Sequence, residues 1–328
     1  MNSVRWGLVS TANINRRLIP AIRASKRGEL SAVASRSQAS ADAYAAKWEI
    51  PQAFASYEAM LGSDSIDAVY ISLPNHLHAE WSVRALEAGK HVLCEKPFAI
   101  TLDEVDRMIA AAEETGGVLA EAFMYRHHPQ TKTAGEWVRG GRLGKITVTT
   151  GVFNFKLENR ENVRLVPEWG GGCLWDVGVY PLSFAQYIMG GPPTSVTGSQ
   201  QLGESGVDEV FSGLLDYSDG KMALISSSFT SQFYTSFEII GTNGRLKLNR
   251  PFTGIAEEGE LVFHPAYGEP EKIPVPQKEL YLCEIEDMHR AILDGHLSYL
   301  TLEESRDHVR TVLALYESAS SGKTVVLD

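Results

Sequence analysis

Near-continuous apolar runs alternate with amphipathic segments through the first third of the chain. Residues 4–9, 30–34, 66–72 and 91–94 are short apolar stretches bounded by turn residues, the pattern of strands buried on both faces. Between them, Ile14, Leu18, Ile19 and Ile22 recur at the spacing of one helix face, with Pro20 expected to kink it. Residues 79–88 read as a helix stopped by Gly89, and Thr101-Leu102-Asp103-Glu104 reads as a capping box opening another. Strand and helix in alternation predict a parallel sheet. After Arg126 the texture changes. A helix over 131–139 leads through Gly140-Gly141 to a long alternating segment, 146–157. Strand patterns then dominate at 195–201, 209–217, 221–229, 235–241 and 245–248, with Ser218-Asp219-Gly220 and Thr242-Asn243-Gly244 as hairpin turns. Helices over 281–293 and 302–318 close the chain, the second behind the box Thr301-Leu302-Glu303-Glu304.

The expected fold is α/β: an N-terminal Rossmann domain over 1–123, then an α+β domain over 124–328 with a large, mainly antiparallel sheet, which the family resemblance given below implies is open-faced. At 328 residues, two domains are the natural number. Composition is that of a globular chain, 44% hydrophobic and 22% charged. No apolar run reaches membrane-span length and the N-terminus lacks a signal-peptide layout, so no membrane partner is expected. Cys94, Cys173 and Cys283 are scattered and never in CxxC, which predicts neither disulfides nor structural zinc and fits a reducing cytoplasm. A formal charge of −11 argues against nucleic acid as a general partner.

Candidate chemistry gathers where the predicted strands end. Ser10-Thr11-Ala12-Asn13-Ile14 stands where a glycine-rich diphosphate turn would be; its small residues allow close backbone approach, and a plain strand–helix turn is the other reading. Ser35-Arg36-Ser37 ends the second strand. A carboxylate there would bind ribose hydroxyls, whereas arginine with hydroxyls suits a 2′-phosphate; a solvated surface arginine is the alternative, and the position favours NADP, with NAD possible. Leu73-Pro74-Asn75-His76-Leu77-His78 follows the next strand and reads as a loop over a cofactor ring rather than a metal site, so no metal is expected. Glu95-Lys96-Pro97 ends the strand after that, placing a lysine on the edge where such sheets bind ligands; a surface Lys-Pro turn is the bland alternative. In Trp169-Gly170-Gly171-Gly172-Cys173-Leu174-Trp175-Asp176-Val177-Gly178-Val179-Tyr180, Asp176 and Tyr180 are four apart and would share a helix face, either lining a site or serving as a helix-start aspartate and a core tyrosine. Phe229, Phe233, Tyr234 and Phe237 fit the open face of the second sheet or a core equally well.

The small-residue turn, Leu73-Pro74-Asn75-His76-Leu77-His78, Ala88-Gly89-Lys90-His91-Val92-Leu93-Cys94-Glu95-Lys96-Pro97 and Glu121-Ala122-Phe123-Met124-Tyr125-Arg126 together resemble the Gfo/Idh/MocA oxidoreductases, and the likeness runs over nearly the whole chain. Within that family the branch of dimeric dihydrodiol dehydrogenases and NADP-dependent D-xylose dehydrogenases is most similar. The resemblance implies that Lys96 reaches the nicotinamide ribose and the active site, with Asp176 and Tyr180 beside it. It implies a cofactor site built from Ser10, Thr11, Ala12, Asn13, Ile14, Ser35, Arg36, Ser37, Leu73, Pro74, Asn75, His78, Glu95 and Lys96. It also implies a homodimer, or a larger homo-oligomer, formed through the open sheet face. Ser10 and Ala12 depart from the family's usual glycines.

The chemistry expected is hydride transfer between the nicotinamide and an alcohol or carbonyl of a sugar, polyol or trans-dihydrodiol. Tyr180 would be the general base, its phenol made more acidic by the Lys96 ammonium, and Asp176 would fix a substrate hydroxyl or hold Lys96. Tyr125, Phe155 and Trp175 are candidate pocket walls. An NAD-dependent glycosidase that oxidises its sugar only transiently is the first alternative. Arg36 speaks against it. A non-catalytic dinucleotide-binding regulator is the second, and the joint presence of Lys96, Asp176 and Tyr180 speaks against that.

Overall fold

The computed structural model describes residues 2–253 and 260–327. By internal packing the chain divides into two compact units: Met1–Met124 with Glu279–Arg306, and Tyr125–Lys278 with Asp307–Asp328.

In the first unit, β1 (Val4–Val9) and α1 (Asn15–Ala24) are followed by β2 (Gly28–Ala34), α2 (Gln38–Trp48), β3 (Gln52–Phe54) and α3 (Tyr57–Leu61). Then come β4 (Ala68–Ile71), α4 (His78–Glu87), β5 (His91–Glu95), α5 (Leu102–Thr115) and β6 (Leu119–Ala122). The six strands are parallel in the order β3-β2-β1-β4-β5-β6. Strand order reverses between β1 and β4, and in such sheets ligands bind outside the strand ends at that reversal. The apolar runs are buried throughout β1, β4 and the middle of β5, as both-face burial requires. The expected kink is absent as a break: α1 runs continuously through Pro20, whose ring sits on the exposed side.

The second unit opens with α6 (Met124–His127) and α7 (Pro129–Arg139), then β7 (Ile146–Lys156), a π-helical turn Leu174–Gly178 and α8 (Val179–Met189). Its remaining strands are β8 (Ser195–Leu202), β9 (Asp208–Asp216), β10 (Met222–Ser228), β11 (Thr230–Gly241), β12 (Gly244–Asn249), β13 (Glu260–Pro265) and β14 (Glu271–Lys272). Next, α9 (Leu280–Asp294) returns to the first unit, and α10 (Leu302–Ser321) and β15 (Val325–Val326) end the chain. The sheet has nine strands in the order β14-β13-β12-β11-β7-β10-β9-β8-β15, antiparallel except for the β7–β10 pair.

One face of that sheet is covered by α8 and the π-turn, burying Phe153, Phe211, Ile225, Phe237 and Ile239. The opposite side carries Val152, Leu214, Leu224 and a field of small hydroxyl residues, with Leu224 48% exposed. The four aromatics read as one group part company. Phe229 and Phe237 are buried, whereas Phe233 and Tyr234 are half-exposed where the β11–β7 register slips between Thr230 and Tyr234.

Residues Glu279–Arg306, read from sequence as part of the second domain, pack in the first unit. Two contacts explain it. The Trp6 indole N–H donates to His289 Nε2 at 3.0 Å, and the His289 Nδ1 meets Ser25 Oγ at 3.1 Å. Both rings are buried, so this pairing ties α9 to β1 and the end of α1.

Candidate active site

The turn after β1 takes a shape that glycine normally supplies. Ser10 has φ of 111°, a backbone region L-residues avoid. It is tethered on every side. Its Oγ lies 2.9 Å from Ser72 Oγ and 3.2 Å from the Ala12 N–H, while its carbonyl accepts from Asn15 Nδ2 at 2.9 Å. Ser72 Oγ in turn donates to Asn15 Oδ1 at 2.7 Å, and Asn15 is fully buried. Asn15 and Ser72 were not singled out from sequence, yet they hold the turn at the β1–β4 reversal. Among the described residues, the backbone N–H groups of Thr11, Asn13 and Ile14 donate to nothing in the chain. Three such donors at the start of a helix fit the diphosphate of a dinucleotide.

At the end of β2, Ser35 is buried and Arg36 exposed. Ser37 Oγ caps α2 by accepting the Ser40 N–H at 3.3 Å. An exposed guanidinium beside a capped helix start suits a phosphate. It also lies close enough to the Tyr57 phenol to favour its ionised form, against the burial that raises that phenol's pKa.

The Glu95-Lys96-Pro97 turn is held from three directions, all within the first unit. The Lys96 N–H donates to Glu95 Oε2 at 3.2 Å, and the buried Tyr70 hydroxyl donates to Glu95 Oε1. The Phe98 N–H donates to Glu121 Oε1 at 2.9 Å. His78 supplies the third anchor. Its Nδ1 faces the Pro97 carbonyl and its Nε2 the Leu73 carbonyl, each at 2.8 Å, and the ring has 0% exposure. Burial pushes its pKa down, outweighing the two carbonyls that would favour a second proton. His78, expected among the cofactor contacts, therefore joins the Leu73-Pro74 loop to the Lys96-Pro97 turn. Asn75 opens a short 3-10 turn beside it.

In the second unit, Asp176 lies in a π-helical turn and Tyr180 in the first turn of α8, a departure from the single α-helix expected. The buried Asp208 carboxylate fixes this junction: it accepts from the Leu174 N–H at 2.8 Å, the Cys173 thiol at 3.1 Å and the Tyr316 hydroxyl at 2.7 Å. Gly172, at φ 122°, leaves room for Asp208, because a Cβ there would meet Asp208 Oδ1 at 2.0 Å. Asp176 Oδ2 accepts from Arg164 Nε at 2.5 Å. Arg164 was missed from sequence; nothing in a lone arginine twelve residues upstream marked it.

The Tyr180 ring is seated among Phe153, Phe252 and Tyr125, with centroids 5.3, 5.6 and 5.8 Å away. Of the proposed walls, Tyr125 is fully buried, its hydroxyl 2.6 Å from Ser183 Oγ, so it supports Tyr180 from behind. Trp175 is buried 6.0 Å from the Tyr316 ring. Phe155 stands half-buried, edge-on to Phe229 at 5.3 Å. Phe153 and Phe252 were missed, although the alternation in β7 did point Phe153 inward. Among the described residues no cluster of His, Cys, Asp or Glu could hold a metal ion.

A doubly wound unit with a tethered diphosphate turn, joined in one chain to an open-faced sheet unit carrying an Asp/Tyr pair, defines a dinucleotide-dependent oxidoreductase. Residues 4–123 match the oxidoreductase family with NAD-binding Rossmann fold, and residues 131–247 match the GFO/IDH/MocA C-terminal domain. D-xylose 1-dehydrogenase (NADP(+)) 2 of Haloferax volcanii is 38% identical over 98% of this chain and 99% of its own. Trans-1,2-dihydrobenzene-1,2-diol dehydrogenase of Sus scrofa is 32% identical over 76% of this chain and 75% of its own. The crystal structure of a 3-ketoreductase from Actinomadura kijaniata with NADP and TDP-benzene superposes with a TM-score of 0.90 at 31% identity, covering 97% of this chain and 98% of that one. The chain belongs to the Gfo/Idh/MocA family and is an NAD(P)-dependent oxidoreductase acting on CH–OH groups.

Proposed function

We propose that this protein is an NADP-linked dehydrogenase of a sugar, with polyols and trans-dihydrodiols as the neighbouring substrate classes. The observation that carries the cofactor choice is Arg36, an exposed guanidinium at the end of β2 where an NAD enzyme would place a carboxylate. The sugar assignment is supported by the 38% identity to an NADP-dependent D-xylose dehydrogenase along nearly the whole chain. Thr11, Asn13 and Ile14 would hold the diphosphate, Arg36 the 2′-phosphate, and the Leu73-Pro74-Asn75 loop with Lys96 the nicotinamide ribose. When bound, the nicotinamide accepts or gives the hydride.

The remaining work falls to side chains. Tyr180 Oη takes the alcohol proton in oxidation and returns it in reduction. The Lys96 ammonium favours its phenolate, and Asp176, with Arg164, orients a further substrate hydroxyl. We place the enzyme in a reducing cytoplasm, where its three buried free thiols would persist, and as a homodimer through the open face of the nine-stranded sheet.

Sugars, polyols and dihydrodiols assayed with each cofactor test this reading. Reduced-cofactor absorbance should grow with an aldose and NADP. Arg36→Ala should raise the NADP Michaelis constant about tenfold or more, since a charge-assisted contact contributes roughly 1.5–3 kcal/mol. A wild type equally served by NAD overturns the cofactor assignment.

A further inference from the structure

On α9, Leu280, Glu284 and Met288 follow at four-residue spacing, so a carboxylate occupies the middle of the buried stripe. Glu284 is 1% exposed, and among the described residues neither of its carboxyl oxygens has a hydrogen-bond partner. An isolated carboxylate in such a place would be very costly, and a neutral acid is the form that survives there. The charges around it sharpen this. From the N-cap of α9 comes Glu279, from α9 itself Asp287, and from the end of β5 Glu95: three carboxylates, all opposing its ionisation. Tyr70 on β4 and Tyr281 on α9 complete the group; each is buried, and each feels both Glu95 and Glu284. The cation at the rim is Arg17 of α1, lying over the Tyr281 ring 5.6 Å from its centre. On the other side of Glu95 stands Lys96, whose backbone N–H Glu95 accepts, while Tyr70 donates its hydroxyl to the same carboxylate.

We propose that Glu284 and Glu95 form a carboxyl pair carrying a single negative charge, with Glu284 the neutral, proton-holding member and Glu95 the charged member that positions Lys96. Glu284 is a positioning residue that acts through Glu95. Its neutrality lets the one charge sit on the carboxylate that already receives two donors and adjoins Lys96. The inference builds on the role given to Lys96 above, but its test reads protonation and needs no substrate.

Infrared difference spectra of wild type minus Glu284→Gln in heavy water at neutral pH should show a protonated carboxylic-acid carbonyl band. Its absence means Glu284 is ionised and overturns the pairing. In Glu95→Gln, which leaves Glu284 in place, that band should titrate away at lower pH than in wild type, because the opposing charge is gone. A band that titrates at the same pH in both proteins overturns it too. The third reading is the environment of the Lys96 amine, followed by NMR after reductive methylation: its methyl chemical shift at neutral pH should move in Glu95→Gln and stay in Glu284→Gln. Movement in Glu284→Gln as large as in Glu95→Gln would also end the proposal.

Discussion

Ser10 shows what a single residue can and does not announce. That a small residue must sit after β1 was readable, because strand, short turn and helix follow in order. That Ser10 adopts a left-handed backbone was not, since its support comes from Ser72, sixty-two positions away, and from Asn15. A polar network sealed by a distant partner leaves no local periodicity. Tyr180 has the same character: its position four after Asp176 was legible, but the seat made by Phe153 and Phe252 was not. Because that seat grips the ring, Tyr180→Phe should fold as the wild type does and bind NADP alike. Turnover should fall by roughly 10²–10⁴, the effect of losing a positioned acid–base group. Steady-state kinetics with an aldose that gave near-normal turnover would pass the proton-exchange role to another group.

Capping signals served the elements best. Both boxes read from sequence form: Thr101 and Glu104 exchange hydrogen bonds at the start of α5, and Thr301 and Glu304 do so before α10. The π-turn was invisible because its cause, Asp208, lies on β9, far along the chain. Turns that bear chemistry also rest on neighbouring elements. His78→Leu on α4 takes the single N–H of the neutral ring away from the carbonyl it serves, Pro97 or Leu73, and a buried carbonyl left alone costs roughly 1–3 kcal/mol. Urea unfolding should show that loss, and turnover should drop with it as the Lys96 turn loosens; unchanged melting would show the contacts to be dispensable.

On α9, burial holds His289 down to about 4, well below the value near 6.5 of an unfolded chain. Its contribution is therefore intact above about pH 6.5 and is lost as pH falls toward 4, because only the unfolded chain takes the proton in that window. Asp106 and Asp294, held down by hydrogen bonds from Arg306 and Arg27, release their share only at lower pH. Between pH 7 and 4.5 the wild type should lose urea stability relative to His289→Gln, because only the wild type carries this titrating ring. A wild-type-minus-variant difference in midpoint that stays constant across that range contradicts the assignment.

For the whole molecule, sequence periodicity told which faces are apolar but not what they meet. The outer face of the nine-stranded sheet is the clearest case: Leu224 at 48% exposure sits amid Val152, Leu214 and small hydroxyl residues. Aliphatic side chains grouped on an otherwise open sheet face mark a surface that associates. Sedimentation should therefore find a dimer at micromolar concentration, and Leu224→Arg should return it to the monomer without changing the thermal melt of its units by more than a few degrees. A monomeric wild type would remove the assembly from the proposal.

The return of α9 to the first unit sets a timetable for birth as well as a shape. Synthesis proceeds from the N-terminus at about 5–20 residues per second, so β1 to β6 leave the ribosome long before their last helix. Until Asp294 has emerged, Trp6 has no His289 to donate to, and Tyr70 and Glu95 face an uncovered flank. The second unit's strands through β14 are all made in that interval. The half of the enzyme that begins first is thus among the last to close, and the face of α1 and β1 that α9 will cover stays open to water until then.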